Sequence, residues 1–218
     1  FVPDNLSASI TPLINSASIG SDPWTNTGFI SSDLTINGLK SNGSKYLNTG
    51  LNPSICLTTA SNGITIVSVV SISEINRESG IASATGINDW GLYTDYADFT
   101  LFDYGNVVSG DRISFNHTGL KNTGYYSGNV TARNAQAIYY ASSTVAHNSI
   151  VTGVVNVAKT SLPNTTATVF VGNIVPIALI CLKRFSFVAF HIGLSSTDSS
   201  NLFNAVQTLR TSLGGGSV

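Results

Sequence analysis

The residues best suited to chemistry in this chain crowd into one stretch, NDWGLYTDYADFTLFDY, from Asn88 to Tyr104. It holds four of the eleven acidic residues, Asp89, Asp95, Asp98 and Asp103, set between the rings of Trp90, Tyr93, Tyr96, Phe99, Phe102 and Tyr104. Carboxylates can fix sugar hydroxyls or a hard cation, and aromatic faces can stack on sugar rings. Trp90, Tyr93, Asp95, Tyr96, Asp98 and Tyr104 are therefore the candidate carbohydrate contacts. The competing reading is a strand-turn-strand with solvated acids and core rings; an exposed Trp90/Tyr93/Tyr96 platform would separate the two. No EF-hand spacing and no Cys-His cluster are present, so no metal site or cofactor is expected, calcium being the one ion the carboxylates would suit.

Hydrolysis of a glycoside needs two carboxyls aimed at one bond, about 5–5.5 Å apart in retaining enzymes. On a jelly roll that pair would show as alternating acids on one strand, and no such pattern occurs. Glu74 and Glu78, the only glutamates, read as a polar turn, and Asp95 and Asp98 would face opposite sides of a strand. His117, His147 and His191 are scattered, and no nucleophile elbow accompanies them. His191 reads as a half-buried, hydrogen-bonded residue on a strand. The chain is thus expected not to be an enzyme. Cys56 and Cys181 fit two buried thiols, or a disulfide adding about 4–5 kcal/mol by closing a long loop. Sequons at Asn5, Asn42, Asn116, Asn129 and Asn164 permit glycosylation.

The elements that must carry these residues are mostly strands. In GITIVSVVSI (63–72) both alternating faces are largely apolar, as in a strand sandwiched between layers. AIYYASS (137–143), SIVTGVVNVA (149–158), TATVFVG (166–172) and RFSFVAFHIG (184–193) continue the series between Asn/Gly/Ser turns. The C-terminal segment breaks the pattern. Ser195, Ser196 or Thr197 can cap a helix, Asp198 suits its first turn, Arg210 its last, and Gly214 the left-handed position beyond it. Leu202, Val206, Leu209 and Leu213 recur at helical spacing and should lay one apolar stripe on a sheet.

At 218 residues the chain is long enough for one large all-β domain. Ten Lys and Arg against eleven Asp and Glu leave a net charge of −1, without the basic footprint of a nucleic-acid binder. The longest apolar run, Ile174 to Leu182, is too short to span a bilayer and reads as buried strand, so no membrane insertion is expected. Methionine is absent, even at position 1, which reads as a processed or partial chain.

Three segments, KYLNTGLNPS (45–54), ARNAQAIYYAS (132–142) and AFHIGLSSTDSSNLFNAVQTLRTSLG (189–214), resemble the concanavalin A-like (LamG-type) jelly-roll domains of bacteriophage tail and other virion proteins. GSDPWTNTGF (20–29) resembles the approach to such a domain, so the likeness runs over nearly the whole chain. It implies an all-β, two-sheet antiparallel jelly-roll sandwich closed by one short C-terminal helix. The expected organisation is an N-terminal arm over 1–28, the jelly roll over 29–214 and a tail over 215–218. The expected function is that of a virion structural protein: a decoration, fibre or tail component on the particle exterior, assembling with copies of itself and other virion subunits and contacting host glycans. A secreted carbohydrate-binding module or lectin is the alternative, with a glycoside hydrolase or polysaccharide lyase behind it.

Overall fold

A computed structural model describes residues 5–11, 24–41, 44–69, 79–84, 88–96, 99–106, 110–116, 123–142, 145–153, 162–169 and 183–216. After a short helix α1 (Leu6–Ser9), the chain runs through β1 (Thr25–Thr27), a 3-10 turn (Ser31–Asp33), β2 (Leu34–Thr35), β3 (Gly38–Lys40), β4 (Tyr46–Asn48) and the helical turn α2 (Pro53–Cys56). The long strands follow: β5 (Asn62–Ser68), β6 (Ser79–Ala84), β7 (Asn88–Tyr96), β8 (Phe99–Asn106), β9 (Arg112–Asn116), β10 (Gly124–Ala132), β11 (Ala135–Ser142) and β12 (Val145–Gly153). Then come β13 (Thr168–Val169), β14 (Arg184–His191) and the helix α3 (Ser196–Ser212).

The strands pair antiparallel into two seven-stranded sheets, β1-β4-β13-β6-β7-β8-β9 and β12-β11-β10-β5-β14-β3-β2. The fold is the expected all-β sandwich with one C-terminal helix. Period-two alternation sends Leu47, Trp90, Leu92, Phe102, Tyr104, Ile113 and Val169 from the first sheet onto Ile64, Ile66, Tyr126, Val130, Ile138, Tyr140 and Phe185 from the second. Gly128 is needed here: a Cβ on it would lie 2.4 Å from the Phe102 ring that crosses from the facing sheet.

Strand β5 is buried on both faces, as its sequence requires. Its inner residues enter the sandwich. Its outer residue Val67 joins Tyr125 and Ala141 beneath α3, where Val206, Leu202 and Phe203 pack on them. The helix begins at Ser195, whose side chain accepts from the Asp198 N–H while the Asp198 carboxylate accepts from Ser195. It ends in a Schellman motif: Gly214, at φ 82°, donates to the Thr211 carbonyl and Gly215 to that of Arg210. The expected apolar stripe is corrected at its far end. Leu209 and Leu213 are exposed, and the sheet-facing line runs instead through Ser199, Leu202, Phe203, Val206 and Arg210. Arg210 turns its guanidinium back to the Gly215 carbonyl, so a charged residue takes the inward position of the last turn.

The N-terminal segment is less of an arm than its composition suggests. Leu6 and Ile10 pack against the core, the Ile10 carbonyl accepts from Trp24, and Thr25–Thr27 pair with β4 as an edge strand. Cys56 is a free, half-buried thiol bonded to the Asn52 carbonyl; Cys181, Glu74, Glu78 and the run 174–182 lie outside the described residues. No helix among the described residues is long and apolar enough to cross a membrane.

Candidate functional site

The acid-aromatic stretch forms the β7–β8 hairpin, with Trp90 opposite Tyr104, Leu92 opposite Phe102 and Gly91 opposite Asp103. Alternation drives the first two pairs inward. Trp90 is fully buried, its indole Nε1 donating to Asn62 Oδ1 at 3.0 Å and its ring 5.5 Å from that of Phe190. The polar handle of a tryptophan usually keeps it near water; here Asn62 satisfies the N–H inside the core. Tyr104 is fully buried too, and burial together with the nearby carboxylates of Asp111 and Asp103 holds its phenol protonated far above the ordinary range. Tyr93 lies on the other face, yet packs with Leu101 and Phe99 and is only 5% exposed. The expectation that Trp90, Tyr93 and Tyr104 contact carbohydrate is therefore corrected, and with Trp90 and Tyr93 buried the Trp90/Tyr93/Tyr96 platform is not formed: these three rings are packing residues. Asp95 and Tyr96 sit at the end of β7, opposite Ser79 and Phe99, and Asp98 lies outside the described residues.

The carboxylates that can be followed have structural partners. Asp103, buried on β8, takes two hydrogen bonds from the Arg112 guanidinium, at 2.5 and 2.7 Å; burial nonetheless pushes its carboxyl above the usual range, with Arg112 opposing. Asp111 accepts from the Asn106 N–H at 2.9 Å and closes the β8–β9 turn. Asp33 binds Lys45 at 2.7 Å, and Asp198 caps α3. No group of three metal-ligating side chains occurs among the described residues.

A second polar constellation, invisible as a motif, lies beside the start of α3. His191 Nδ1 is 2.7 Å from the Ile192 carbonyl, which can only accept, so that nitrogen carries the proton. Nε2 therefore accepts from Thr65 Oγ1 at 2.9 Å, Thr65 accepts from Ser127 Oγ at 2.8 Å, and Ser127 accepts from the Asn129 amide at 2.9 Å. Asn129 Oδ1 in turn takes the Leu194 N–H at 2.9 Å, which fixes the direction of the whole relay. Burial lowers the His191 pKa to about 4, so the ring is neutral at pH 7. Every member has a partner, and the relay joins β5, β10 and β14 to the loop entering the helix. It fits the half-buried, bonded histidine expected from the sequence. The same bonds and 1% exposure close the Asn129 sequon to modification in the folded chain.

One surface remains on which a ring is available. Tyr46, on β4, is 39% exposed, the most open ring among the described aromatic side chains. Its strand reads polar-apolar-polar, with Leu47 in the core and Tyr46 and Asn48 outward. That alternation is the signal by which the sequence could have pointed to it.

No family model matches the sequence, and no curated protein matches it. Solved structures do share its fold. The botulinum neurotoxin serotype D/C VPI 5993 binding domain superposes at TM-score 0.55, with 17% identity over 84% of this chain and 46% of its own. Botulinum neurotoxin type C, solved in connection with cell entry dependent on two ganglioside molecules, gives 0.51 and 18% identity over 77% of this chain and 42% of its own. The enzymatically active domain of bacteriophage CBA120 tailspike protein 2 gives 0.55 and 13% identity over 91% of this chain and 32% of its own. This chain spans less than half the length of each of the three.

Proposed function

We propose that this chain is a structural protein of the phage virion exterior, a decoration, fibre or tail component, whose jelly-roll domain contacts host-surface glycans. The observation that carries the reading is the sandwich itself. It superposes over 91% of this chain on a phage tailspike domain, and over 77% on a structure of botulinum neurotoxin type C, whose cell entry depends on two ganglioside molecules. The motif resemblance at 45–54 and 189–214 points the same way. Among the described carboxylates, Asp33, Asp103, Asp111 and Asp198 are each engaged by a cation, a backbone N–H or a helix cap, and this supports a binding role over hydrolysis. A catalytic carboxyl must in addition lie within hydrogen-bond reach of the proton it transfers. No cofactor is required by this reading.

A secreted carbohydrate-binding module is the second reading, favoured by the toxin binding domains among the structural neighbours. Two experiments test the proposal. Antibody-gold labelling of source material should decorate particles in a regular array, and the purified chain should bind members of a printed glycan array. Label confined to soluble material would remove the virion role and leave the binding module. An array without a single bound glycan would remove the carbohydrate role from both readings.

A further inference from the structure

Resting on the reading of a glycan-contacting domain, we infer that the sugar is received on the outer face of the β1–β4–β13 sheet edge, around Tyr46, and that it is a neutral oligosaccharide. Register puts Thr27 opposite Tyr46, and Thr25, Asn48 and Thr168 side by side across three strands. Directly opposed residues share a face. Leu47 and Val169, the alternate positions, are core residues, so this face is the outer one. Thr25 and Tyr46 are exposed, and Thr27, Asn48 and Thr168 are partly so.

The composition of the face selects the ligand. It presents one phenol ring with its hydroxyl, three threonine hydroxyls and one carboxamide, and no charge. Apolar faces of a sugar stack on an aromatic ring, and sugar hydroxyls exchange hydrogen bonds with Thr and Asn side chains. An acidic sugar would find no cation at these five positions. Asn48 is set in place beforehand: its Oδ1 accepts from the Gly50 N–H at 2.9 Å, which turns the amide so that Nδ2 is left to donate. At about 4.8 Å between strands, the row Thr25–Asn48–Thr168 extends roughly 10 Å, long enough for more than one sugar ring beside Tyr46. The backbone of β4 is paired on both sides, with β1 and with β13.

The test is a printed array of neutral and acidic oligosaccharides, probed with the full chain and with Tyr46→Ala and Asn48→Ala. The wild type should bind neutral oligosaccharides. Tyr46→Ala should weaken the best of them at least tenfold and Asn48→Ala several-fold, with melting temperatures unchanged. Should Tyr46→Ala prove unstable, hydrogen exchange of the wild type with that oligosaccharide added should show new protection confined to residues 25–27, 46–48 and 168–169. Undiminished binding by a folded Tyr46→Ala, or protection elsewhere, would overturn the site while leaving the glycan reading intact. Binding of acidic oligosaccharides alone would overturn the neutral class. A wild type that binds nothing on the array would defeat the reading and the inference together.

Discussion

Acidification should loosen the start of the C-terminal helix by breaking one directed chain of hydrogen bonds. Protonating His191 gives Nε2 a hydrogen where it now accepts from Thr65. Thr65 must then turn its own proton to Ser127, which displaces the Ser127 proton from Thr65 and breaks the order of donors along the chain. Asn129 cannot flip, because its oxygen holds the Leu194 N–H. Strand β5 brings no titratable group to this seam; β10 brings Tyr125, kept neutral by burial, and the helix brings Asp198, engaged in its cap. With a pKa of 6.5 unfolded and about 4 folded, the unfolded chain binds the proton first. The stability is complete above pH 6.5, is lost as pH falls from 6.5 to about 4, and changes no further below. At 1.36 kcal/mol per pH unit the loss is roughly 3 kcal/mol, an upper figure because the ring keeps some contact with water. Urea unfolding at pH 7.5, 5.5 and 4 should be run on the wild type and His191→Gln, whose amide oxygen still accepts from Thr65 but does not titrate. The wild type should lose about 2–3 kcal/mol more than the variant between the first and last pH. Equal losses in the two proteins would refute the relay as the acid-sensitive element.

Three further outcomes are expected. Trp90→Ala should cost about 3–5 kcal/mol by leaving a cavity between the sheets and an unpaired Asn62, read as a fall in the urea midpoint; a neutral effect would contradict its place in the core. Arg112→Ala strands a buried carboxylate at Asp103 and should cost about 2 kcal/mol at pH 7, less than a fully buried pair because the arginine is partly in water, with the deficit shrinking in acid as Asp103 protonates. Ser195→Ala removes the acceptor for the Asp198 N–H and should destabilise by about 1 kcal/mol in thermal melts, whereas Ser196→Ala should not.

The elements written locally were the ones legible in the sequence. The two-faced apolar run of β5 announced a strand covered on both sides, and the Ser195 cap, Asp198 and Gly214 bounded the helix, since caps and left-handed turns depend on a few adjacent residues. The face of the β7–β8 hairpin was not legible. Rings and acids alternate there in either reading, and the pattern alone does not say which side meets the facing sheet. Asn62, 28 residues earlier in the chain, makes the interior hospitable to Trp90. Similarly, Leu209 and Leu213 satisfy helical spacing, yet the helix lies with Ser199, Val206 and Arg210 inward, which leaves both leucines in water.

Composition and periodicity, then, determined an all-β chain with one terminal helix, because backbone geometry imposes periods of two and 3.6 on any side chain that must be buried. Only the tertiary structure decided where polar groups meet. The His191 relay draws on β5, β10 and β14, and the Tyr46 face on β1, β4 and β13, whose pairing brings Asn48 beside Thr168. Such neighbours are made by long-range pairing between segments distant in the sequence, and no local spacing can encode them.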